Sequence, residues 1–498
     1  MELADRQRAA IVDLGSNSVR MVVFEGTRRN PVVSFNEKHT LRLGKGLDKT
    51  GKLNEEGVTK AMDVLARFAT VASAMGADPF HILATAAVRD ASNGKEFIKA
   101  AQKLLPQATF RILNGEEEAD YAATGVLCAL PEADGIVADI GGGSLELIHI
   151  AGRQRHEATT TPLGVIRLRE RADGNLQEAA RIVSAQLQSV SWLSARQGKT
   201  LYLVGGAFRA LARLYIARQD YPLNIVNLLR LSVQQGRELS CWLIETSETE
   251  LKAVGNVGAK RLPDVPYAAT VLLELIDYLS PSRIIFSTEG LREGWYMRHV
   301  AASLWDFDPR LILLEEMAAR FSRQVMSPNL LYDWTSFLFR GEEGVGETGL
   351  QATWRYYACL ISDIGAYAHP EYRVDEASRL VLYNQGVGFD HETRAFLALV
   401  LGVRYGMDRD DPLLDIAGII LTEESFRRAI LLGALIRLAY TLCAGTDILL
   451  KSCQLSVREG VLTLDLGAGL LRSAGSAVET RLKRLAKELG MPFIILEQ

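Results

Sequence analysis

The chain has 498 residues, of which 48% are hydrophobic and 23% are charged. These proportions are typical of globular proteins, so a mainly disordered chain is excluded, and about three or four domains of ordinary size would fit. With 56 basic and 60 acidic residues the net charge is −4, which argues against a polycationic protein that binds nucleic acid. A local basic groove for a polyanion remains compatible with this balance.

The five cysteines are widely spaced and include no C-x-x-C pair, so neither a disulfide framework nor a cysteine-based zinc site is indicated. The N-terminal segment lacks the apolar core of a signal peptide. The longest apolar stretch, Ala429 to Gly445, is interrupted by Arg437 and is short for a bilayer span. We therefore expect a cytoplasmic protein that has no membrane or nucleic-acid partner.

An internal repeat organises the first part of the chain. Each copy consists of two β-rich runs around a turn of small residues, which predicts a hairpin. Placing Asp13 on Asp139 also places Ser18 on Ser144, so the two hairpins open two similar halves. The copies lie at residues 9–25 and 135–150.

The elements that follow each hairpin alternate between helix and strand, which predicts mixed sheets covered by helices. Predicted helices lie at 54–75, 95–105 and 116–127, and predicted strands at 80–84, 110–113, 201–204 and 283–286. From about residue 308 helical spacing dominates, with predicted helices at 311–326, 354–367, 371–383, 392–405 and 424–442 and an irregular segment at 331–348. A strand pair, a helix and a last strand are predicted at 454–466, 477–489 and 493–496.

These patterns predict four domains. Two similar α/β lobes come first, an α-helical domain follows, and a small α/β domain ends the chain. Their expected bounds are 1–127, 128–304, 305–440 and 441–498.

The two Asp-x-Gly loops carry the strongest functional signal. Turns rich in glycine leave backbone N–H groups free to bind an anion, and hydroxyl and amide side chains add further donors. Carboxylates in the same loops can hold Mg²⁺ or its water ligands, which offsets the charge of a phosphate. Two loops that face each other, with a third turn at Gly205–Gly206, predict a phosphate clamp. Two tight hairpins with structural glycines are the alternative.

At these loops the chain resembles the exopolyphosphatase / guanosine pentaphosphate phosphohydrolase family. The matching segments, in chain order, are Asp13-Leu-Gly-Ser-Asn-Ser18, Thr85-Ala-Ala-Val-Arg89, Gly115-Glu-Glu-Glu-Ala119, Asp139-Ile-Gly-Gly-Gly-Ser-Leu-Glu146, Val204-Gly-Gly-Ala207 and Ser287-Thr-Glu-Gly-Leu-Arg-Glu-Gly294. The resemblance implies duplicated α/β lobes of the actin/hexokinase/Hsp70 (ribonuclease H-like) superfold, then an α-helical HD-like domain and a small C-terminal α/β domain. It also implies Mg²⁺ as cofactor and a homodimer.

The resemblance assigns roles to individual residues. One glutamate of the run 116–118 is expected to be the base that activates water, and we choose Glu118, with Glu117 as the fallback. The expected metal ligands are Asp13, Asp139 and Glu146, and the last of these could instead be an edge-strand charge. The expected phosphate-binding residues are Ser16, Asn17, Ser18, Arg89, Gly141, Gly142, Gly143, Ser144, Gly205 and Gly206. Arg89 could also be an ordinary surface arginine.

Two segments resemble known functional motifs but lack a residue that each motif needs. Gly46-Leu-Asp-Lys-Thr-Gly51-Lys52 is close to a Walker A pattern but is followed by Leu53 where a Ser or Thr is needed, so we expect a loop before a helix at Asn54. In the helical domain Ser362 precedes Asp363 where related families place a His-Asp pair. We therefore expect that domain to serve substrate binding or dimer contacts.

The leading hypothesis is an exopolyphosphatase that removes terminal phosphate from linear polyphosphate. Hydrolysis of the 5′-γ-phosphate of pppGpp by the same site is the runner-up, because the motifs describe the phosphates and not what lies behind them. A non-catalytic polyphosphate or nucleotide sensor and an ATP-driven kinase or chaperone of the same superfold are the remaining alternatives.

Overall fold

A computed structural model of the protein describes residues 7–26, 28–323, 326–340, 346–467, 470 and 474–497. The chain divides into two compact units, residues 1–309 and 310–498, which are described separately. The four predicted domain bounds are finer than this division and stay predictions.

The first unit begins with a five-stranded sheet in the order β3-β2-β1-β4-β5. Its strands are β1 (Arg8–Leu14), β2 (Ser18–Glu25), β3 (Val32–Thr40), β4 (Ala77–Ala84) and β5 (Thr109–Ile112). The associated helices are α1 (Leu47–Thr50), α2 (Glu55–Ala74), α3 (Ala86–Asp90), α4 (Gly94–Leu104) and α5 (Gly115–Ala129). We call this sheet with α1–α4 lobe I.

A six-stranded sheet in the order β10-β11-β9-β6-β7-β8 follows. Its strands are β6 (Gly135–Ile140), β7 (Leu145–Ala151), β8 (Gln154–Thr161), β9 (Thr200–Val204), β10 (Arg230–Leu231) and β11 (Ile284–Phe286). The helices are α6 (Val165–Arg171), α7 (Leu176–Gln188), α8 (Gly206–Arg218), α9 (Val233–Glu245), α10 (Glu248–Val254), α11 (Val265–Leu279) and α12 (Leu291–Met297). We call this sheet with α6–α11 lobe II.

The two sheets repeat one design. In each, an antiparallel hairpin is followed by parallel strands on the other side of its first strand. The hairpin turns also match: Gly15 N–H donates to Ser18 O at 3.0 Å, and Gly141 N–H donates to Ser144 O at 2.9 Å. The duplicated α/β lobes, followed by a helical region, confirm the predicted fold class.

Strand alternation sets the direction of the two aspartates. Val12 and Leu14 of β1 belong to the hydrophobic core of lobe I, and Ala138 and Ile140 of β6 belong to that of lobe II. Side chains one residue away point to the opposite face of each sheet. The Asp at the end of each first strand therefore leaves its own core and faces the space where α5 and α12 pack.

Helices α5 and α12 cross at close range because glycines form the contact. A Cβ added to Gly125 would overlap the carbonyl oxygen of Gly290, and one added to Gly294 would overlap that of Tyr121. Backbone rather than flexible side chain occupies the space in both cases, so the crossing leaves no room for a larger residue.

Replacing Gly294 by alanine is therefore expected to destabilise the first unit by about 1–3 kcal/mol, the usual cost of overpacking. Thermal and urea unfolding measure this change. Gly258→Ala is the matched control, because no atom lies within 4 Å of a Cβ added there and its φ is −65°. Equal stability of the two variants would contradict the close crossing.

The second unit is mainly helical. Its helices are α13 (Pro309–Phe321), α14 (Pro328–Arg340), α15 (Gly349–Leu360), α16 (Arg373–Leu382), α17 (His391–Tyr405), α18 (Pro412–Ile420), α19 (Glu423–Cys443), α20 (Asp447–Lys451) and α21 (Ser476–Leu489). The mixed sheet β12-β13-β14 is formed by Cys453–Arg458, Val461–Leu466 and Phe493–Glu497. Among the described residues, no helix has both the length and the apolar composition needed to cross a bilayer.

The prediction of an irregular segment at 331–348 was wrong over its first half, where α14 forms. Leu331, Thr335, Leu338 and Phe339 of this helix are buried, at the spacing of one helical face. The aromatic and β-branched residues of the segment lower its helical propensity, and packing of this face overrides that preference.

Candidate active site

A cleft in the first unit brings the predicted loops together. It is lined by the turns after β1, β6 and β9 and by side chains from α5, α8 and α12. Most of the predicted site residues lie in its wall. They are Asp13, Ser16, Asn17, Ser18, Glu118, Asp139, Gly141, Gly142, Gly143, Ser144, Glu146, Gly205 and Gly206.

The two Asp-x-Gly loops touch each other through small residues. A Cβ added to Gly142 would lie 3.1 Å from Ser16 Cβ, and one added to Gly143 would lie 3.0 Å from Ser16 Oγ. The N-terminal amides of α6 donate to the carbonyl oxygens of Gly141 and Gly142 at 3.0–3.2 Å. Because these carbonyl oxygens accept hydrogen bonds from α6 on one side of the loop, the loop can present its N–H groups to an anion on the other side.

The third turn approaches Asp139 closely. Gly205 has φ 100°, a conformation that favours glycine, and a Cβ there would lie 2.9 Å from Asp139 Oδ1. This explains the glycine pair after β9: it lets α8 begin directly against the carboxylate at the end of β6.

The three glutamates of the run 116–118 have different environments. Glu116 is exposed. Glu117 forms a capping box at the start of α5: its side chain accepts from Asn114 N–H at 3.0 Å, and Asn114 Oδ1 accepts from Glu117 N–H at 2.9 Å. Glu118 is buried and lines the cleft. Its position is the one that suits a general base.

The carboxylates of the cleft raise one another's pKa values. Burial, together with the nearby carboxylates Asp139 and Asp13, raises the pKa of Glu118 to about 7 against the lowering effect of Arg89. Burial likewise raises the pKa of Asp139 to about 6, although Arg209 opposes the change. Crowded, buried carboxylates of this kind are typical of sites that bind a cation or move a proton.

Arg89 contacts the cleft through Glu118. Its guanidinium forms ion pairs with Glu118 and Asp90 and donates to the carbonyl oxygen of Leu113 at 3.2 Å. Arg89 itself is not one of the described residues that line the cleft. Its role as a phosphate ligand stays a prediction, and its observed contacts are with Glu118, Asp90 and the Leu113 carbonyl.

The residues present fit a divalent cation of the Mg²⁺ type. Glu146 lies beside Asp139 on the neighbouring strand, and its buried Oε1 has no hydrogen-bond partner among the described residues. Within the same residues no group of three His, Cys, Asp or Glu side chains is close enough to form a complete metal cage. Mg²⁺ suits such a place, because it usually takes one or two carboxylates and completes its shell with water and phosphate.

In the metal-free protein, Glu146→Gln is expected to raise thermal stability more at pH 8.5 than at pH 5. Burial raises the pKa of Glu146 well above its ordinary value, with Glu118 and Asp139 adding to the shift. A carboxyl whose folded pKa is raised loses stability as pH rises above its unfolded value of about 4.3. An unsatisfied buried group costs about 1–3 kcal/mol.

Thermal unfolding in EDTA at the two pH values measures this effect, with exposed Glu116→Gln as the control. An advantage of Glu146→Gln that is the same at both pH values would contradict a buried, titrating carboxylate.

A row of charges across lobe I was missed by sequence reasoning. Asp13 pairs with Arg20 on the neighbouring strand, and Arg20 pairs with Lys38 on the next strand. Arg20 and Lys38 are like charges directly opposite each other, an arrangement that is destabilising unless an anion offsets it. The periodicity of β3 could have placed Lys38 on one face, but not next to Arg20.

The cations of the cleft form one cluster. Partial burial and the neighbouring Arg261, Arg209 and Arg20 lower the pKa of Lys38 to about 7. Burial, with Arg292 as the largest neighbouring cation, lowers the pKa of Arg209 to about 10. The cleft therefore contains a carboxylate cluster around Asp139 and a cation cluster of Arg20, Lys38, Arg209, Arg261 and Arg292.

In the second unit, the aspartate at the position of the missing His-Asp pair is engaged by arginines. Arg323 binds both Asp363 oxygens at 2.8 and 2.9 Å, and Arg404 lies 3.6 Å from Asp363 Oδ1. The hydroxyl of Ser362 contacts that of Tyr440 at 3.0 Å. These contacts give Asp363 a structural role in holding the helices of this unit.

Comparison with known proteins gives matches along the whole chain. A model of the Ppx/GppA phosphatase family matches residues 22–302, and a model described as exopolyphosphatase, C-terminal, matches residues 311–494. A guanosine-5′-triphosphate,3′-diphosphate pyrophosphatase of Aeromonas hydrophila is 24% identical over 511 aligned residues, which cover 98% of each chain.

Solved structures share the fold. An exopolyphosphatase from Cytophaga hutchinsonii is 23% identical, with a TM-score of 0.54, and the match covers 59% of this chain and 99% of that one. A Ppx/GppA family member from Aquifex aeolicus is 24% identical, with a TM-score of 0.51 and coverage of 59% and 97%.

Proposed function

The chain belongs to the Ppx/GppA phosphatase family, and from this premise we propose that it is an exopolyphosphatase. Family membership makes it a phosphatase that hydrolyses phosphoanhydrides. The proposal concerns the substrate, linear inorganic polyphosphate, and the residues that act on it.

The cation cluster is the observation that carries the proposal. Arg20 and Lys38 stand opposite each other on adjacent strands, and Arg209, Arg261 and Arg292 are their neighbours. Burial and the neighbouring Arg261, Arg209 and Arg20 lower the pKa of Lys38, so a bound polyanion would relieve this repulsion and restore the full charge of Lys38. A chain of phosphates offers several adjacent anionic groups to such a cluster, beyond the single terminal group that the loops can hold.

The chemistry follows from the positions of the loops and Glu118. The N–H groups and hydroxyls of the two loops bind the terminal phosphoryl oxygens. Glu118 takes a proton from a water molecule whose oxygen attacks the terminal phosphorus, and the P–O bond to the bridging oxygen breaks. The shortened chain leaves with the bonding electron pair. Asp13, Asp139 and Glu146 are the residues that would hold Mg²⁺, which neutralises charge on the phosphates when bound.

Hydrolysis of pppGpp is the second candidate function. It is favoured by the full-length similarity to a protein named for pyrophosphatase action on guanosine-5′-triphosphate,3′-diphosphate. The same loops and base would act on its terminal phosphate, and the cation cluster would then meet only the remaining phosphates of one nucleotide.

Phosphate release from long-chain polyphosphate, pppGpp and ATP, each with Mg²⁺ and with EDTA, tests the proposal. We expect a kcat/KM for polyphosphate at least about 10-fold above that for pppGpp, a difference of about 1.4 kcal/mol in transition-state binding. A preference for pppGpp would replace the first function by the second. No release from any substrate, with tight polyphosphate binding, would identify a sensor.

A further inference from the structure

One face of α6 in lobe II forms ion pairs and hydrogen bonds with lobe I. Arg167 Nε forms an ion pair with Asp48 Oδ1, and its Nη2 donates to Asp90 Oδ2, both at 2.9 Å. Three residues further along, Glu170 Oε1 accepts from the backbone N–H of Gly46 at 3.1 Å. Residues three apart lie on the same side of a helix, so these contacts form one surface.

The receiving surface is the segment that resembles a Walker A loop. It forms the short helix α1, and its Gly46 and Asp48 are the groups that α6 binds. This segment lies in lobe I and has no place in the phosphate clamp, so its contact with α6 gives it a role that the sequence pattern did not suggest.

Arg167 also connects to both parts of the catalytic site. Its backbone N–H donates to the carbonyl oxygen of Gly142, in the second Asp-x-Gly loop, at 3.2 Å. Asp90, which accepts from Arg167, also accepts from Arg89 Nε at 3.2 Å, and Arg89 pairs with Glu118. A continuous line of alternating charges therefore runs from the contact between the lobes to the candidate base.

The low solvent exposure of the Arg167 side chain strengthens its ion pairs with the two aspartates. Its side chain is 14% exposed, against 33% for each aspartate. Partial removal from water strengthens an ion pair relative to a fully exposed one. A guanidinium can bind two carboxylates at once through its fork of donors, whereas a lysine ammonium offers no such fork.

We infer that Arg167 is a positioning residue, which holds the second Asp-x-Gly loop against lobe I and, through Asp90 and Arg89, keeps Glu118 in its catalytic position. The inference rests on the proposed phosphoanhydride hydrolysis for its kinetic consequence. It does not depend on whether polyphosphate or pppGpp is the substrate.

Arg167→Gln is expected to lower kcat about 10- to 100-fold, the effect of a small misplacement of catalytic groups. The KM should change less than about threefold, because the groups that bind the ground state remain. Arg171→Gln is the matched control: Arg171 lies on the same helix, and its Nη1 donates to the Pro162 carbonyl oxygen in lobe II. Arg167→Lys should recover only part of kcat, because it loses the fork.

A double-mutant cycle separates positioning from general destabilisation. If Arg167 and Asp48 act as one unit, combining Arg167→Gln with Asp48→Asn should lower kcat little further than either change alone. Combining Arg171→Gln with Asp48→Asn should give additive effects. Thermal unfolding of all variants identifies any loss of kcat that comes from unfolded protein.

The distance between the lobes gives a readout that needs no turnover. Cys241 in α9 is exposed and the other four cysteines are buried, so it can be labelled together with Lys60→Cys on α2, where the lysine side chain is 55% exposed. Pulsed electron spin resonance should show a broader distance distribution in Arg167→Gln than in wild type and Arg171→Gln.

With active wild type, unchanged kcat in Arg167→Gln overturns the inference. If wild type releases no phosphate from any substrate, the proposed function fails. The distance distribution then decides alone, and an unchanged distribution in Arg167→Gln overturns the contact between the lobes.

Discussion

Replacing Glu118 by glutamine is expected to lower kcat for phosphate release about 10²- to 10⁴-fold, the range that general base catalysis contributes. Glutamine keeps the size of the side chain and can still accept a hydrogen bond from Arg89. It cannot take a proton from water at neutral pH. The loss should therefore appear in kcat, with a much smaller change in KM.

Glu117→Gln is the matched control for this experiment. Glu117 caps α5 and pairs with Arg111 outside the cleft, so its replacement should change kcat less than about threefold and cost up to about 1 kcal/mol of stability. Full activity of Glu118→Gln would show that the base is another group. Loss of activity in both variants, with normal folding, would contradict the division of roles between the neighbouring glutamates.

Replacing Asp139 by asparagine is expected to lower kcat/KM about 100-fold or more, because a Lewis-acid cation supplies several kcal/mol of charge stabilisation. Asp139 lies at the end of β6, where Gly205 approaches its Oδ1 and Gly290 its Oδ2. Burial raises the pKa of Glu118, and the Asp139 carboxylate adds to that shift. The variant should also need more Mg²⁺ for half-maximal rate.

A Mg²⁺ titration of phosphate release measures both effects. Asp134→Asn provides the control from the same segment, since Asp134 is half-exposed and pairs with Lys199 at 2.9 Å on the surface of lobe II. It should leave the rate and the Mg²⁺ requirement within about twofold, as expected for a surface ion pair. If Asp139→Asn titrates with Mg²⁺ as wild type does, the cation is held elsewhere.

The two expected effects differ in a way that identifies their origin. If Asp139 holds the cation as proposed, high Mg²⁺ should restore part of the activity of Asp139→Asn. Glu118→Gln removes the proton acceptor itself, so added Mg²⁺ should not restore it. Opposite responses of the two variants to Mg²⁺ would exchange the roles assigned to these carboxylates.

Patterns within single turns and strands were enough to predict the two repeated α/β lobes and the glycine-rich turns of the cleft wall. The Asp-x-Gly hairpins are local: the aspartate, the tight turn and the following serine lie within a few residues of one another. Period-two alternation then places both aspartates away from the cores of their sheets. The pattern Asn114-x-x-Glu117 is itself the signature of a capping box, so local sequence alone could have separated Glu117 from Glu118.

Only the tertiary structure decided which charges meet. Lys38 faces Arg20 because of the register between β2 and β3, and Arg89 reaches Glu118 because α3 and α5 end up adjacent. Arg167 meets Asp48 and Asp90 because the two lobes approach each other. These contacts join residues far apart in sequence, so no periodicity within one element predicts them. Each hairpin, in contrast, is determined by its own glycines and by its alternating side chains.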